Sequence, residues 1–181
     1  IVTHKKHGFS LWPPRTLADW ALDGAILMKS RARYPEGFHH GNHCRVYVGR
    51  DSLDNEVVFE WTYPVARFVH LEPWMVEAPY ARVYRYRHAS VSEHNAFTYF
   101  ARHAGRGYDW LQLAGIALGL RWLQLGEDGE VCSTGLREAQ ERLFLVDRLF
   151  SESATWQTLP CAWCNHPEDC ERINGAASRA A

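Results

Sequence analysis

The chain has 181 residues, of which 46% are hydrophobic and 13% are aromatic. That is enough apolar material for one packed domain, and it excludes an intrinsically disordered chain. The 20 basic and 21 acidic residues leave a net charge of -1, so no overall field attracts nucleic acid, and we expect no nucleic-acid partner. No apolar run reaches the roughly 18 residues that a membrane helix needs, so we expect no membrane span.

The cysteine count and the start of the chain bear on the compartment. Five cysteines cannot all pair within one chain, so a reducing interior is the simpler expectation. The start shows no basic segment followed by an apolar one, as a secretory signal would. The first residue is Ile1 rather than Met, so a targeting segment that had been removed would leave no trace here. Together these features favour a cytoplasmic or virion-associated location over a secreted one.

The first part of the chain predicts an arm, a helix and a strand. Residues 1–15 contain Pro13-Pro14 and predict an irregular N-terminal arm. Thr16 is a plausible helix cap, with a short helix running to Leu22. The apolar run from Ala25 to Met28 then predicts a first buried strand.

A β-hairpin is predicted next. The segments 43–49 and 56–63 are rich in β-branched and aromatic residues, and turn formers fill positions 50–55. If Gly49 pairs with Glu56, then Arg45 faces Glu60, because antiparallel partners keep a constant sum of positions. One face of the sheet then carries His43, Arg45, Glu60 and Thr62. The other, apolar face carries Val57, Phe59, Trp61 and Tyr63.

The second part of the chain predicts two more strands and three helices. Strands are expected over 65–70 and 81–87, and a helix from Ser90 or Ser92 to about Ala104. A buried apolar helix is expected over 111–125. The last helix begins at Cys132 and runs to about Phe150, with apolar residues at three- and four-residue spacing: Leu136, Ala139, Leu143, Val146 and Phe150.

Cys132 is the candidate nucleophile. A thiol at a helix start lies near backbone N–H groups and the positive end of the helix dipole, which favours the thiolate and lowers the pKa. A cysteine hydrolase also needs an imidazole and a polar residue that orients it. His43 and Glu60 could supply these two groups. The alternatives are that Cys132 is a small buried core residue and that Glu60 simply forms a cross-strand ion pair with Arg45.

Several segments resemble the circularly permuted papain-fold cysteine hydrolases, the permuted branch of the NlpC-like cell-wall peptidases. Residues 42–49, Asn-His-Cys-Arg-Val-Tyr-Val-Gly, resemble the family's histidine strand, and residues 130–133, Glu-Val-Cys-Ser, resemble its nucleophile motif. Four shorter segments resemble further family elements in the same order: 23–27, 58–61, 108–110 and 158–160. The resemblance covers roughly residues 20 to 165.

This resemblance implies a fold, an activity and site residues. The fold would be α+β and permuted papain-like, with an antiparallel sheet or partial barrel and the nucleophile-bearing helix packed against it. The catalytic residues would be Cys132 as nucleophile, His43 as general base and acid, and Glu60 as the residue that orients His43. Tyr108 and Asp109 would line the substrate site, unless they only pack the start of a helix. No cofactor is implied.

The implied activity is a thiol peptidase or amidase that cleaves peptides or peptidoglycan stem peptides in a bacterial or phage setting. A lipid-directed acyltransferase or thioesterase of the same fold is one alternative, with Trp110, Trp122 or Leu125 lining an apolar slot. A non-catalytic structural or interaction protein, for example a phage-assembly component with partner proteins, is the other.

The C-terminal tail carries a second group of potential ligands. We divide the chain into the arm, a catalytic domain over 16–160 and a Cys-rich tail over 161–181. The tail places three thiols and an imidazole within ten residues: Cys161, Cys164, His166 and Cys170. These could hold zinc tetrahedrally, although an incidental thiol pair and simple packing are the alternatives, and simple packing is favoured.

Overall fold

A computed structural model describes residues 2–4, 24–25, 28–29, 31–33, 43–62, 64–72, 81–86, 91–120, 122–123, 129–144 and 170–173. Its strands are β1 (Val2–His4), β2 (His43–Arg50), β3 (Glu56–Glu60), β4 (Arg67–His70), β5 (Ala81–Tyr86), β6 (Gly107–Tyr108), β7 (Gly129–Glu130) and β8 (Cys170–Ile173). Its longer helices are α1 (Glu93–Ala101), α2 (Trp110–Leu118) and α3 (Cys132–Phe144). The predicted mixture of α and β structure is confirmed.

The main sheet has six antiparallel strands in the order β4-β3-β2-β1-β5-β8. Strands β4 and β8 form its two edges, so the strands that the structure describes do not close into a barrel. Strands β6 and β7 form a separate parallel pair. Helix α3 packs against β2, as predicted for the helix that carries Cys132. Within the described ranges, none of the helices has the length and apolar character needed to cross a membrane.

The hairpin of β2 and β3 forms as predicted, but its register shifts at one end. Val46 pairs with Phe59, which keeps the predicted sum of positions. Gly49 pairs with Val57 instead of Glu56, because a bulge lies between Tyr47 and Gly49. Gly49 has a φ of 131°, a backbone conformation that side chains disfavour, so glycine suits this position. The predicted register therefore holds only in the half of the hairpin that carries Arg45 and Glu60.

The strand predicted over Ala25 to Met28 is wrong. Gly24, Ala25, Met28 and Lys29 are helical, as are residues 31–33. A short apolar run has no periodicity that separates strand from helix, and Ala, Met and Lys are good helix formers. Met28 is 72% exposed, so this residue is also not buried as predicted. The helix predicted over Thr16 to Leu22 lies outside the described residues.

Two helices are shorter than predicted. Ser92 caps α1 by accepting a hydrogen bond from the Asn95 backbone N–H, and the helix ends at Ala101 instead of Ala104. Helix α2 stops after nine residues because Gly119 adopts a left-handed conformation with φ 76°. Only Gly115 and Ile116 of α2 are buried, and most of its other residues are partly exposed, so the helix expected to be buried is buried only in part.

The main core lies between the sheet and α3. Leu136 and Ala139 of α3 are fully buried and pack with Phe59 and Trp61 of the β3 segment. The predicted apolar face of α3 is therefore confirmed within residues 132–144. Arg137 of the same helix is also buried, and its Nε atom donates to Glu141 at 2.7 Å. An ion pair one helical turn apart makes this burial tolerable.

Candidate active site

The three residues proposed for catalysis lie together. His43 is the first residue of β2, Glu60 is the last residue of β3, and Cys132 is the first residue of α3. Each of the three is only 3% exposed. The hairpin brings His43 and Glu60 to the same end of the sheet, and the packing of α3 on β2 brings Cys132 to that end.

The start of α3 is anchored from α2. The side-chain oxygen of Gln112 accepts hydrogen bonds from the Val131 backbone N–H at 3.1 Å and from the Thr134 hydroxyl at 2.9 Å. The Gly135 backbone N–H donates to the Val131 carbonyl at 3.0 Å, which closes the first turn. Cys132 is thus held at the N-terminal end of a 13-residue helix, where the backbone dipole favours a negative sulfur.

The surroundings of Cys132 lower the pKa of its thiol well below the usual value. The largest contribution is a hydrogen bond from the Cys44 side chain. Burial acts in the opposite direction, but the charge and the hydrogen bond of His43 outweigh it together with the Cys44 contacts. A lowered pKa at a helix start is the condition for a reactive thiolate. Cys132 is at the same time buried in the main core, so its role as a nucleophile stays a prediction.

Glu60 contacts His43 and two arginines at once. Its Oε2 atom lies 3.5 Å from the Nε2 of His43 and accepts from the Nε of Arg45 at 2.6 Å. Its Oε1 atom accepts from Arg67 at 3.0 and 3.1 Å. The predicted cross-strand ion pair with Arg45 therefore coexists with a contact to His43, and the role of Glu60 in orienting a catalytic histidine stays a prediction.

The arginine and histidine partners keep Glu60 charged. Burial alone would raise the pKa of this carboxyl, but the nearby His43 and the charge of Arg45 hold it well below its usual range. The distance of 3.5 Å to His43 is long for a hydrogen bond. Contacts of this kind are often long in enzymes without substrate and shorten during catalysis.

Tyr108 and Asp109 lie beside β7, the strand that precedes Cys132, and have structural contacts. The fully buried Asp109 caps α2, since its Oδ1 accepts from the Gln112 backbone N–H at 2.7 Å. Its own N–H donates to the Glu130 carbonyl at 3.3 Å. Tyr108 pairs with Glu130 in the β6–β7 ladder and its ring packs edge-on against Trp110. These contacts match the alternative in which both residues pack a helix start.

Sequence reasoning missed Cys44 as a site residue. Its side chain is fully buried in the main core, and its sulfur lies 3.1 Å from the carbonyl oxygen of Cys132. The signal was present in the hairpin pattern, because the constant sum of positions places Cys44 opposite Trp61, on the face that α3 covers.

A second buried carboxylate, Glu130, was also missed. Its oxygens lie 3.0 and 3.3 Å from the Nδ1 of His103, and Arg106 donates to it at 3.1 Å. The indole N–H of Trp61 donates to it as well. We call Glu130, His103, Arg106 and Trp61 the Glu130 cluster, and Glu60, His43, Arg45 and Arg67 the Glu60 cluster. No sequence motif marks the Glu130 cluster, since its members come from three separate segments.

Only Cys170 of the four potential zinc ligands in the tail falls within the described residues. It lies in β8, opposite Tyr86 of β5, and is buried in the main core. Cys161, Cys164 and His166 lie outside the described residues, so a zinc site there stays a prediction. Across the described part of the chain, no group of three or more potential ligands could hold a metal ion.

Comparisons of the chain with protein-family models, with curated proteins and with solved structures found no match. The function of the site is therefore inferred from its geometry and from the sequence.

Proposed function

We propose that this protein is a thiol hydrolase of permuted papain-like fold that cleaves amide bonds through an acyl-enzyme on Cys132. The main support for the proposal is that Cys132, His43 and Glu60 lie together at one end of the sheet, although they belong to three separate elements. Thiol, imidazole and carboxylate in this arrangement form the set that a cysteine hydrolase needs.

Each residue has a role in the proposed reaction. Because the Nε2 atom of His43 lies next to Glu60, Nδ1 is the ring nitrogen left for the thiol. The Cys132 thiolate attacks the carbonyl carbon, and His43 protonates the departing amine. His43 then takes a proton from water, which attacks the acyl-enzyme and releases the acid. Backbone N–H groups at the start of α3 would stabilise the oxyanion.

The order of the site residues along the chain supports the fold assignment. His43 and Glu60 precede Cys132, the order expected for a permuted papain-like protein, and α3 packs against the strand that begins with His43. For substrate, we propose peptides or peptidoglycan stem peptides, on the resemblance of residues 42–49 and 130–133 to permuted NlpC-like peptidases.

The proposal is tested by the rate at which iodoacetamide alkylates Cys132 as a function of pH. Mass spectrometry of peptides separates Cys132 from the other thiols. We expect rapid alkylation well below the ordinary thiol pKa of about 8.5, and loss of that reactivity in His43→Ala. If Cys132 is inert in the folded chain, or titrates near about 8.5 with or without His43, the hydrolase proposal fails.

A non-catalytic interaction protein is a second candidate, and one observation favours it. Cys132 and His43 are each only 3% exposed, whereas a substrate needs a path to both. Inert Cys132 in the alkylation experiment would support this candidate, because a buried thiol without access does not react. Fast alkylation at low pH would exclude it as the sole explanation of the site.

A further inference from the structure

Cys44 and Cys132 form a pair of thiols inside the main core. The Cys44 sulfur donates to the backbone carbonyl oxygen of Cys132 at 3.1 Å, and each of the two thiols shifts the pKa of the other. Both cysteines are present as free thiols. Their contact joins β2 to the first residue of α3, so a bond between them would connect two elements that are already packed together.

The two sulfurs differ in character. Burial and the adjacent Cys132 raise the pKa of the Cys44 thiol well above its usual value, whereas the pKa of the Cys132 thiol is lowered. Cys132 is therefore the sulfur that reacts first with an electrophile. Cys44 stays protonated until Cys132 beside it has been oxidised. A low-pKa thiol next to a second thiol is the arrangement found in redox-sensitive sites.

We propose that Cys132 is an oxidation site and that Cys44 is its resolving cysteine, so that hydrogen peroxide converts the pair into a Cys44–Cys132 disulfide. This uses the same thiolate as the proposed hydrolase, and the disulfide would block attack on a substrate. The relevant oxidant is small, because the two residues are 0% and 3% exposed.

The reaction balances in two steps. The Cys132 thiolate attacks one peroxide oxygen, the O–O bond breaks, and hydroxide leaves with formation of a sulfenic acid. The Cys44 sulfur then gives up its proton and attacks the Cys132 sulfur, the S–O bond breaks, and water leaves. Two thiols are oxidised to one disulfide, and one peroxide is reduced to two waters. A reducing dithiol restores both thiols.

The test treats the folded, fully reduced chain with limiting hydrogen peroxide. Remaining thiols are then alkylated in denaturant, and peptides are mapped by mass spectrometry. We expect a cross-linked peptide that joins Cys44 to Cys132, has lost two hydrogens and is reversed by dithiothreitol. In Cys44→Ser, which keeps a hydrogen-bond donor, the cross-link is lost, and a further addition of excess peroxide takes Cys132 on to the sulfinic or sulfonic acid.

Cys170→Ser is the matched control, because Cys170 is a third buried thiol in the same core. It should leave the cross-link unchanged. Cys44→Ala serves as a second variant if Cys44→Ser does not fold, with unfolding in denaturant as the check. Over-oxidation of Cys132 in the wild-type chain without a cross-link, a cross-link to any other cysteine, or no oxidation of Cys132 would each overturn the proposal.

This outcome is separable from that of the hydrolase proposal. Mass spectrometry detects the cross-link without any substrate, whereas the alkylation profile in His43→Ala tests the thiolate–imidazole pair. If the cross-link forms but the alkylation rate of Cys132 is the same with and without His43, the oxidation site is supported and the hydrolase proposal is rejected. A His43-dependent thiolate without a cross-link would do the reverse.

Discussion

The Glu60 and Glu130 clusters are built from the same parts and differ in what their histidines contact. Each has a buried carboxylate with a histidine and arginine beside it. The histidine of the Glu60 cluster lies 3.5 Å from its carboxylate and interacts with Cys132. The histidine of the Glu130 cluster lies 3.0 Å from its carboxylate. Its ring stacks on that of Tyr99, with 4.6 Å between the ring centroids.

Among the described residues, a buried histidine–carboxylate pair therefore occurs both beside a thiol of lowered pKa and beside a tyrosine ring. Glu130 is the last residue of β7, and its side chain links this strand to His103, Arg106 and Trp61. In the Glu60 cluster the arginines hold the carboxylate, and the histidine contacts a thiol of lowered pKa. We therefore expect the two clusters to respond differently to the same substitutions.

The largest expected effect is on the reactivity of Cys132. His43→Ala should slow its alkylation near pH 6 by roughly 10-fold, because the pKa of the thiol rises when the charge and hydrogen bond of His43 are lost, while the Cys44 contact is kept. His103→Ala should leave the reactivity of the folded chain close to that of the wild type. The rates are measured by mass spectrometry after short exposure to iodoacetamide. Equal losses in both variants would remove the distinction between the clusters.

Neutralising either carboxylate should destabilise the fold by a similar amount. Glu60→Gln and Glu130→Gln each weaken hydrogen bonds to charged groups, and we expect each to lower the free energy of unfolding by about 2 kcal/mol. Only Glu60→Gln should also slow alkylation of Cys132, since Glu60 lies beside His43. Urea unfolding and the alkylation rate separate the two effects. If alkylation of Cys132 is slower in Glu130→Gln but not in Glu60→Gln, then Glu130 and not Glu60 is the carboxylate that affects the thiol.

Acid should remove the stability that both carboxylates contribute. The pKa of each glutamate is lowered in the folded chain relative to a usual value of 4.5. Their contribution is therefore fully present above that value and is lost as the pH falls through the lower folded values. Urea midpoints measured from neutral pH down to about pH 3 should fall more steeply in the wild type than in either Gln variant. Parallel curves would mean that neither glutamate is stabilised by its partners.

Gly135→Ala probes the packing of the Glu130 cluster. A methyl group on Gly135 would lie 2.5 Å from the Trp61 ring and 2.8 Å from Oε2 of Glu130. We expect a loss of about 1 to 2 kcal/mol in the free energy of unfolding, as is usual for overpacking. Gly107→Ala is the control, because nothing lies within 4 Å of its added methyl group. The same urea midpoint in both variants would contradict the tight contact.

The smallest expected effect concerns Asp109, whose backbone N–H donates to Glu130. Asp109→Ala should cost about 1 kcal/mol through loss of the helix cap, whereas Asp109→Asn should retain most of the stability, since Asn caps helices equally well. Thermal or urea unfolding measures both. If Asp109→Asn keeps its stability but changes hydrolysis of a substrate found by screening, Asp109 contacts that substrate in addition to capping α2.

Local patterns in the sequence predicted the elements whose signals are short-range. The alternation of β2 and β3 placed Arg45 opposite Glu60, and the apolar spacing from Leu136 to Leu143 predicted the buried face of α3. The same kind of pattern failed from Ala25 to Met28, where a short apolar run fits either a strand or a helix. It also missed the bulge before Gly49, because a bulge changes the pairing of two strands without a distinctive composition.

The sequence by itself determined the three candidate residues, since a cysteine at a helix start, a histidine at a strand start and a glutamate on the paired strand are local features. Tertiary structure alone decided which buried histidine lies beside a thiol, that Arg67 joins Arg45 on Glu60, and that Cys44 contacts Cys132. These contacts join residues between 7 and 89 positions apart. No local pattern encodes them, because they depend on how the sheet and α3 pack together.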